Sequence, residues 1–177
     1  MKIVTVVGAR PQFIKEAVLC KEIQNRPDIE EILVHTGQHY DENMSGIFFD
    51  VLAMKQPDYN LNIGSGSHSS MTGKIMIAFE EVVMNTKPDV IAVYGDTNST
   101  VAAALVAAKL HIPLAHIEAG LRQSPKDMPE EINRNQLVNK NNLYEYYKNI
   151  QQPMDFVKNL YGDGSAAYQM IDILEAL

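Results

Sequence analysis

Four segments of this sequence carry side chains able to move a proton or hold an anion. The first is Gly8-Ala9-Arg10-Pro11, with Lys15 one turn further on. A glycine ahead of a helix lets the backbone turn sharply. The helix N-terminus then offers free N–H groups and a partial positive charge. Arg10 can fork onto a phosphate at such a place. Lys15 lies in the early turns, where the helix dipole disfavours a cation and a bound anion would offset that. Two solvated basic residues are the plain alternative. The second segment is Gly95-Asp96-Thr97-Asn98, where Asp96 stands either for proton transfer or as a helix cap, a task that Thr97 and Asn98 also suit. The third is His116-Ile117-Glu118-Ala119-Gly120-Leu121-Arg122. A carboxylate directly after an apolar run is either paired, for example with Arg122, or held for proton transfer. The fourth is Pro129-Glu130-Glu131-Ile132-Asn133-Arg134, whose adjacent carboxylates can simply complement a helix dipole.

Taken together the four suggest more than any one of them. If all lie at one edge of a sheet, Asp96, Glu118 and Glu130 or Glu131 share a crevice with Lys15 and Arg10. Several carboxylates beside cations suit acid–base work on an anionic, phosphorylated substrate. The chain has only four arginines, Arg10, Arg26, Arg122 and Arg134, and three of them fall in these segments. Other candidates are weaker. Gly64–Ser69 has the glycines of a dinucleotide loop but lacks the third and follows no strand. His35, His39, His68, His111 and His116 show no metal-ligand spacing, so no metal site is expected. Tyr144, Tyr146 and Tyr147 suit packing better than base stacking.

The elements that must position these segments alternate. Lys2–Val7 is a short β-branched run ended by Gly8, as in a buried parallel strand. Pro11 opens a helix with Phe13, Ile14, Ala17, Val18 and Ile23 on its apolar face. Glu31–Thr36 reads as a second strand, and Asp41 caps a helix running to about Ala53. The turn-rich loop Asn60–Ser70 precedes a long helix, Met71–Asn85, closed by Lys87–Pro88. Asp89–Tyr94 is a third strand, Asn98–Leu110 an Ala-rich helix, and Pro113–Ile117 a fourth strand. This alternation predicts an α/β fold with a doubly wound parallel sheet, and ligands in such sheets bind outside the strands' carboxyl ends. After Arg134 the composition turns to Asn, Lys and Tyr. Helices are expected at 142–150, 153–160 and 165–176.

Composition bounds the rest. The chain has 177 residues, 46% of them hydrophobic and 21% charged, which fits one ordinary domain plus an appendage. A net charge of −7 argues against a nucleic-acid partner. There is no apolar run long enough to span a membrane and no signal peptide is expected. One cysteine, Cys20, cannot staple the fold and fits a reducing, cytoplasmic setting.

The four segments, with HTGQHY (35–40) and LNIGSGSH (61–68), occur in the same order in one family. Residues 1–134 resemble the N-terminal half of the non-hydrolysing UDP-N-acetylglucosamine 2-epimerases. The resemblance implies two Rossmann-like domains in the glycosyltransferase-B arrangement, with the active site between them. It implies interconversion of UDP-N-acetylglucosamine and UDP-N-acetylmannosamine, by loss of the C2 proton and elimination of UDP, followed by re-addition. By motif match Lys15, Asp96, Glu118 and Glu130 would be catalytic and Arg10 would contact the diphosphate. Glu130 is preferred to Glu131 as the first Glu after Pro129. Gly8, Arg122, Arg134 and Glu131 complete the expected substrate-binding set. No cofactor or metal is implied. The partners implied are a UDP-sugar and a second copy of the chain, and the product serves surface polysaccharide synthesis. Residues 160–177 resemble the family's extreme C-terminus, a helix that crosses back onto the N-terminal domain. The chain therefore reads as residues 1–134, a junction at 135–159 and a returning helix at 160–177, without the second domain. Tyr40 replaces the basic residue associated with substrate regulation. The expectation is a domain inactive alone. A dimer that completes the cleft and a non-catalytic nucleotide-sugar binding module are the alternatives.

Overall fold

Alternation along the first strand sets the two-sided core. In β1 (Lys2–Val7), Ile3 and Val7 face one side of the sheet while Val4 and Val6 face the other, and all four are buried. A strand covered on both faces needs apolar side chains on both, and KIVTVV supplies them. The computed structural model describes residues 1–37, 49, 51–137 and 166–175. Within them β1 is followed by α1 (Arg10–Gln24), β2 (Glu30–His35), β3 (Tyr59–Asn60), α2 (His68–Thr86), β4 (Val90–Tyr94), α3 (Asn98–Lys109), β5 (Leu114–Ile117), α4 (Pro129–Leu137) and α5 (Ala166–Glu175).

The five strands lie in the order β3-β2-β1-β4-β5 and every pairing is parallel. Helices cover both faces. Phe13, Leu19 and Ile23 of α1 and Ala167, Ile171 and Leu174 of α5 pack on Ile3, Leu33 and Ala92. Phe79, Val82 and Val83 of α2 and Ala103, Val106 and Ala107 of α3 pack on Val4, Val34 and Val93. This is the expected Rossmann-like, doubly wound α/β sheet. Chain order reverses between β1 and β4, and the crevice outside their carboxyl ends lies there.

Several boundaries differ from expectation. A fifth strand, β3, was not foreseen, because two residues are too few to show a pattern. Asn60 accordingly belongs to the sheet. Helix α2 starts at His68, three residues before Met71, because the Ser67 side chain caps it by accepting the Ser70 N–H. It ends on Lys87, which takes a left-handed conformation at φ 49°. Asp89 and Pro113 fall just outside their strands. The helices expected at 142–150 and 153–160, Tyr40, and most of the helix expected from Asp41 to Ala53 lie outside the described residues. Helix α5 occupies the place expected for the final helix and docks on α1. Arg26 donates to Asp172 and Glu175, both at 2.7 Å, with its guanidinium 4.6 Å from the Tyr168 ring centroid.

Candidate functional site

Three strand ends open into the crevice, and each is followed by one of the expected segments. After β1 comes Gly8. A Cβ there would stand 2.4 Å from both the Ser99 and Thr36 hydroxyls, so only glycine fits. Those two hydroxyls are hydrogen-bonded at 2.8 Å, which ties the end of β2 to the start of α3 directly over Gly8. The free N–H groups expected at the start of α1 are partly occupied. Gln12 Oε1 accepts the Gly8 N–H at 2.7 Å and the Ala9 N–H at 3.0 Å, and Pro11 has none to offer. Gln12 Nε2 donates to the Tyr94 carbonyl at 2.7 Å, so one buried amide clamps the first loop to the end of β4. Sequence reasoning missed Gln12. A Gln at the third helical position behind a proline is a recognisable capping signal. Arg10, the first residue of α1, is exposed.

After β4 come Gly95 and Asp96. Gly95 takes φ 61° and its carbonyl lies 2.6 Å from His116 Nε2. Asp96 does not cap the next helix. Thr97 does, accepting the Thr100 N–H. This frees the Asp96 carboxylate, which pairs with Arg134. Asn133 adds a bond from Nδ2 to the Asp96 carbonyl at 2.8 Å and approaches Asn98 Oδ1 at 3.4 Å. Asn133 was also missed, since nothing in its spacing distinguishes it from a solvated helix residue.

After β5 comes Glu118, at φ 62°. Left-handed backbone in a residue with a long side chain is costly and clusters at functional positions. The Glu118 carboxylate meets Lys15 Nζ across the crevice. It also hangs over the second loop, with Oε2 3.4 Å from where a Gly95 Cβ would be. Its cation is therefore Lys15 rather than Arg122. The guanidinium of Arg122 lies instead 3.8 Å from Glu131.

The two glutamates of the fourth segment are placed differently. Glu130 is exposed in the first turn of α4 and makes no ion pair among the described residues. Glu131 is buried. Its Oε2 accepts from Arg134 Nη1 and the Gln123 N–H, both at 3.1 Å. Burial alone would raise the Glu131 carboxyl. The bonds from Arg134 and Gln123, with the charge of Arg122, outweigh it and hold the group below the usual carboxylate range. The same two carboxylates, Glu131 and Asp96, hold Arg134 protonated against its own burial.

The crevice thus contains two charged groupings that meet at Gly95-Asp96. One is Lys15 with Glu118, about one-third exposed and open to a ligand. The other is Asp96–Arg134–Glu131, largely enclosed, with the exposed Arg122 at its outer end. Exposed carboxylates beside exposed cations can exchange a proton with a bound molecule and balance charge on an anion.

The chain matches the family model described as UDP-N-acetylglucosamine 2-epimerase over residues 21–143. It is 60% identical over 134 residues to a UDP-N-acetylglucosamine 2-epimerase homolog of Methanococcus maripaludis, covering 76% of this chain and 37% of that protein. It is 57% identical over 134 residues to the UDP-2,3-diacetamido-2,3-dideoxy-D-glucuronate 2-epimerase of Pseudomonas aeruginosa, covering 76% and 38%. Among solved structures it is similar to the Methanocaldococcus jannaschii UDP-GlcNAc 2-epimerase in complex with UDP-GlcNAc and UDP. There the TM-score is 0.74 and the identity 49%, over 77% of this chain and 38% of that one. The chain therefore spans little more than a third of the length of the relatives it matches. With the motifs, the sheet and the crevice in agreement, the chain belongs to the UDP-N-acetylglucosamine 2-epimerase family.

Proposed function

We propose that this chain supplies the acid–base half of a UDP-N-acetylglucosamine 2-epimerase. The observation that carries the reading is the contact of Lys15 with Glu118 over Gly95, beside Asp96. In the proposed reaction a carboxylate of the crevice takes the C2 proton. The C2–H electron pair becomes a C1=C2 double bond, and the C1–O bond breaks with its electrons leaving on UDP. Lys15 and Arg10 balance the charge that develops on the departing diphosphate. UDP then re-adds at C1 while a carboxylate on the opposite face returns a proton to C2. Inversion at C2 therefore needs two acid–base groups on two faces. Glu118, Asp96 and the exposed Glu130 are the candidates, with Arg122 and Arg134 holding Glu131 and Asp96 in position. Gly8 contributes by letting the first loop pass close to Ser99.

Residues 1–134 are proposed as the Rossmann-like unit and 160–177 as a returning helix, a reading that the docking of α5 on α1 supports. The glycosyltransferase-B arrangement, a homodimer and a cytoplasmic setting belong to the same proposal. Among the described residues no helix is long and apolar enough to cross a membrane. A second substrate reading, a UDP-2,3-diacetamido-uronate, is favoured by the 57% identity to the Pseudomonas aeruginosa enzyme.

The test is a chimera in which residues 1–134 replace the matching segment of the Methanococcus maripaludis relative. The chimera and the chain alone are incubated in D2O with UDP-N-acetylglucosamine and, separately, with the UDP-2,3-diacetamido-uronate, and followed by proton NMR. Deuterium entry at C2 with the chimera is expected, and none with the chain alone. A folded chimera without exchange on either UDP-sugar would refute the proposal. Exchange by the chain alone would show that it completes its own cleft.

A further inference from the structure

Away from the crevice, the core beneath α1 contains a group of titratable side chains that the proposed reaction does not use. Glu16 and Cys20 stand one turn apart on α1, Glu31 comes from β2, and one donor atom from each lies within 4.8 Å of the others. Glu16 is fully buried, Cys20 is 1% exposed, and the Glu31 side chain is 4% exposed. Two carboxylates are rarely found side by side in a core without something positive between them.

The hydrogen bonds show which atoms are already committed. Glu16 Oε2 accepts the Tyr94 hydroxyl at 2.5 Å, and Glu31 Oε1 accepts the Thr5 hydroxyl at 3.0 Å. Each carboxylate therefore has one oxygen fixed by a hydroxyl donor, as metal-binding carboxylates commonly do. The remaining oxygens are different. Glu16 Oε1 is buried with no N–H or O–H donor among the described residues, and the Glu31 carboxyl lies beside it. Glu31 faces Glu16 and Cys20, and its nearest cation among the described residues is Lys55 Nζ, 4.0 Å from Oε2, an ammonium engaged by Asp58 at 2.7 Å and by the Glu31 carbonyl. Cys20 Sγ accepts an N–H from Gln24 at 3.4 Å, a donor that suits a sulfur carrying negative charge.

We propose that Glu16, Cys20 and Glu31 bind one divalent transition-metal ion of the zinc class. The donor set selects the class: a thiolate with two carboxylates suits a borderline-soft cation rather than calcium or magnesium, which take oxygen ligands in greater number. A dication would offset two of the three ligand charges, and Lys55, 4.0 Å from Glu31, is shared with Asp58. Without a cation, burial and the neighbouring carboxylates push the Cys20 thiol up to about 12. A bound metal reverses that preference. The i, i+4 spacing of Glu16 and Cys20 places both on one helix face, and β2 brings the third ligand beneath them. The site is separate from the crevice and would brace α1, the helix that carries Lys15.

The full chain has a single cysteine, which makes the test specific. The chain is refolded anaerobically from chelator with cobalt(II), and separately with zinc. One cobalt per chain is expected, with a near-ultraviolet thiolate-to-cobalt charge-transfer band. Zinc should raise Tm and protect Cys20 from a thiol reagent in mild denaturant. Cys20→Ser should abolish the band, and Glu16→Gln, which removes a ligand, should weaken binding by more than the ~10- to 100-fold lost with an outer partner. The wild-type measurement needs no variant to fold. Cobalt bound without a thiolate band would place the ion elsewhere and overturn the proposal. No binding and no Tm shift would overturn it too, and would leave a proton shared by Glu16 and Glu31 to fill the gap.

Discussion

Gly8→Ala is the sharpest test of how the crevice is built. The added methyl would lie 2.4 Å from Ser99 Oγ and 2.4 Å from Thr36 Oγ1, with Ser99 Cβ at 3.3 Å. Neither hydroxyl can swing away freely, because the two are bonded to each other at 2.8 Å in the buried interior. Forcing a methyl into a filled site costs roughly 1–3 kcal/mol. Separating a buried hydroxyl pair adds about 1 kcal/mol. The expected loss is therefore about 2–4 kcal/mol, a large part of the ~5–15 kcal/mol available to a domain. With a urea slope of about 2 kcal/mol/M, the unfolding midpoint should fall by about 1–2 M. Gly73→Ala is the internal control. It lies inside α2, where a Cβ would meet nothing within 4 Å, so the same substitution should stabilise by about 0.5–1 kcal/mol. Adding Ser99→Ala to Gly8→Ala removes one of the two opposing oxygens and should recover part of the loss. If Gly8→Ala unfolds within about 0.5 kcal/mol of the parent, well inside the ~1–3 kcal/mol expected of a clash, the close approach of the β1 and β2 ends to the start of α3 is wrong.

The Glu131 carboxyl is held below its ordinary value in the fold, so its contribution is present above the unfolded value of ~4.3 and lost as pH falls through the folded one. Replacing Arg134 by Ala should therefore destabilise the chain at neutral pH and flatten the acid limb of its urea stability profile; an unchanged acid limb would contradict the pairing. Arg26→Ala removes the contacts to Asp172, Glu175 and Tyr168, so amide exchange across Ala166–Glu175 should quicken with little change in β1 or β4. Uniform quickening everywhere would mean that α5 is not a separately docked element. In the chimera described above, Lys15→Met and Glu118→Gln should each lower C2 exchange by roughly 100-fold or more, as loss of a positioned acid or base does. Glu118→Gly relieves left-handed strain at φ 62° and loses only a partly exposed ion pair, so it should unfold no earlier than the parent while abolishing exchange. A clear loss of stability there would show that the Lys15 contact, not the backbone, dominates at this position.

Much of this arrangement is legible in the sequence, and the reasons differ by element. The long strands announce themselves because apolar periodicity and burial have the same cause, as at Ile3, Val4, Val6 and Val7, whereas in α1 Ile14 and Val18, expected on the apolar face, are exposed and the polar Gln12 and Glu16 are buried. Tyr59–Asn60 does not, since a two-residue strand is defined by its neighbour Val34–His35 and by nothing in its own pattern. The loops that carry Asp96 and Glu118 are visible because each follows a strand that ends at the crevice. Partner choice is not. Whether Glu118 meets Lys15 or Arg122 depends on a left-handed turn at Glu118 itself, which propensity disfavours. Likewise Glu130 and Glu131 are identical in type and adjacent, and only the rotation of α4 sends one to solvent and the other to Arg134. The group beneath α1 was invisible for a third reason. A search for histidine and cysteine spacing along the chain cannot find ligands that α1 and β2 bring together across the core.

Lys15 holds Glu118, Arg134 holds Asp96, Arg134 and Arg122 hold Glu131, and Asn133 fixes the backbone at Asp96. Each of those contacts lies between residues 15 and 134. The loops beneath them are fixed by Gln12, Thr36 and Ser99, so the whole set falls within residues 1–134. The geometry of these carboxylates is therefore set inside this unit and does not wait for a second one. What the unit does not enclose is the side of the crevice above Lys15 and Glu118, where both side chains are about one-third exposed. Water there screens the pair and weakens any charge stabilisation that it offers. A second unit that closed this side would strengthen the same residues without moving them. The chimera should then restore turnover chiefly by excluding water and holding the nucleotide, and the Lys15 and Glu118 variants should fail in it for chemical reasons rather than through misfolding.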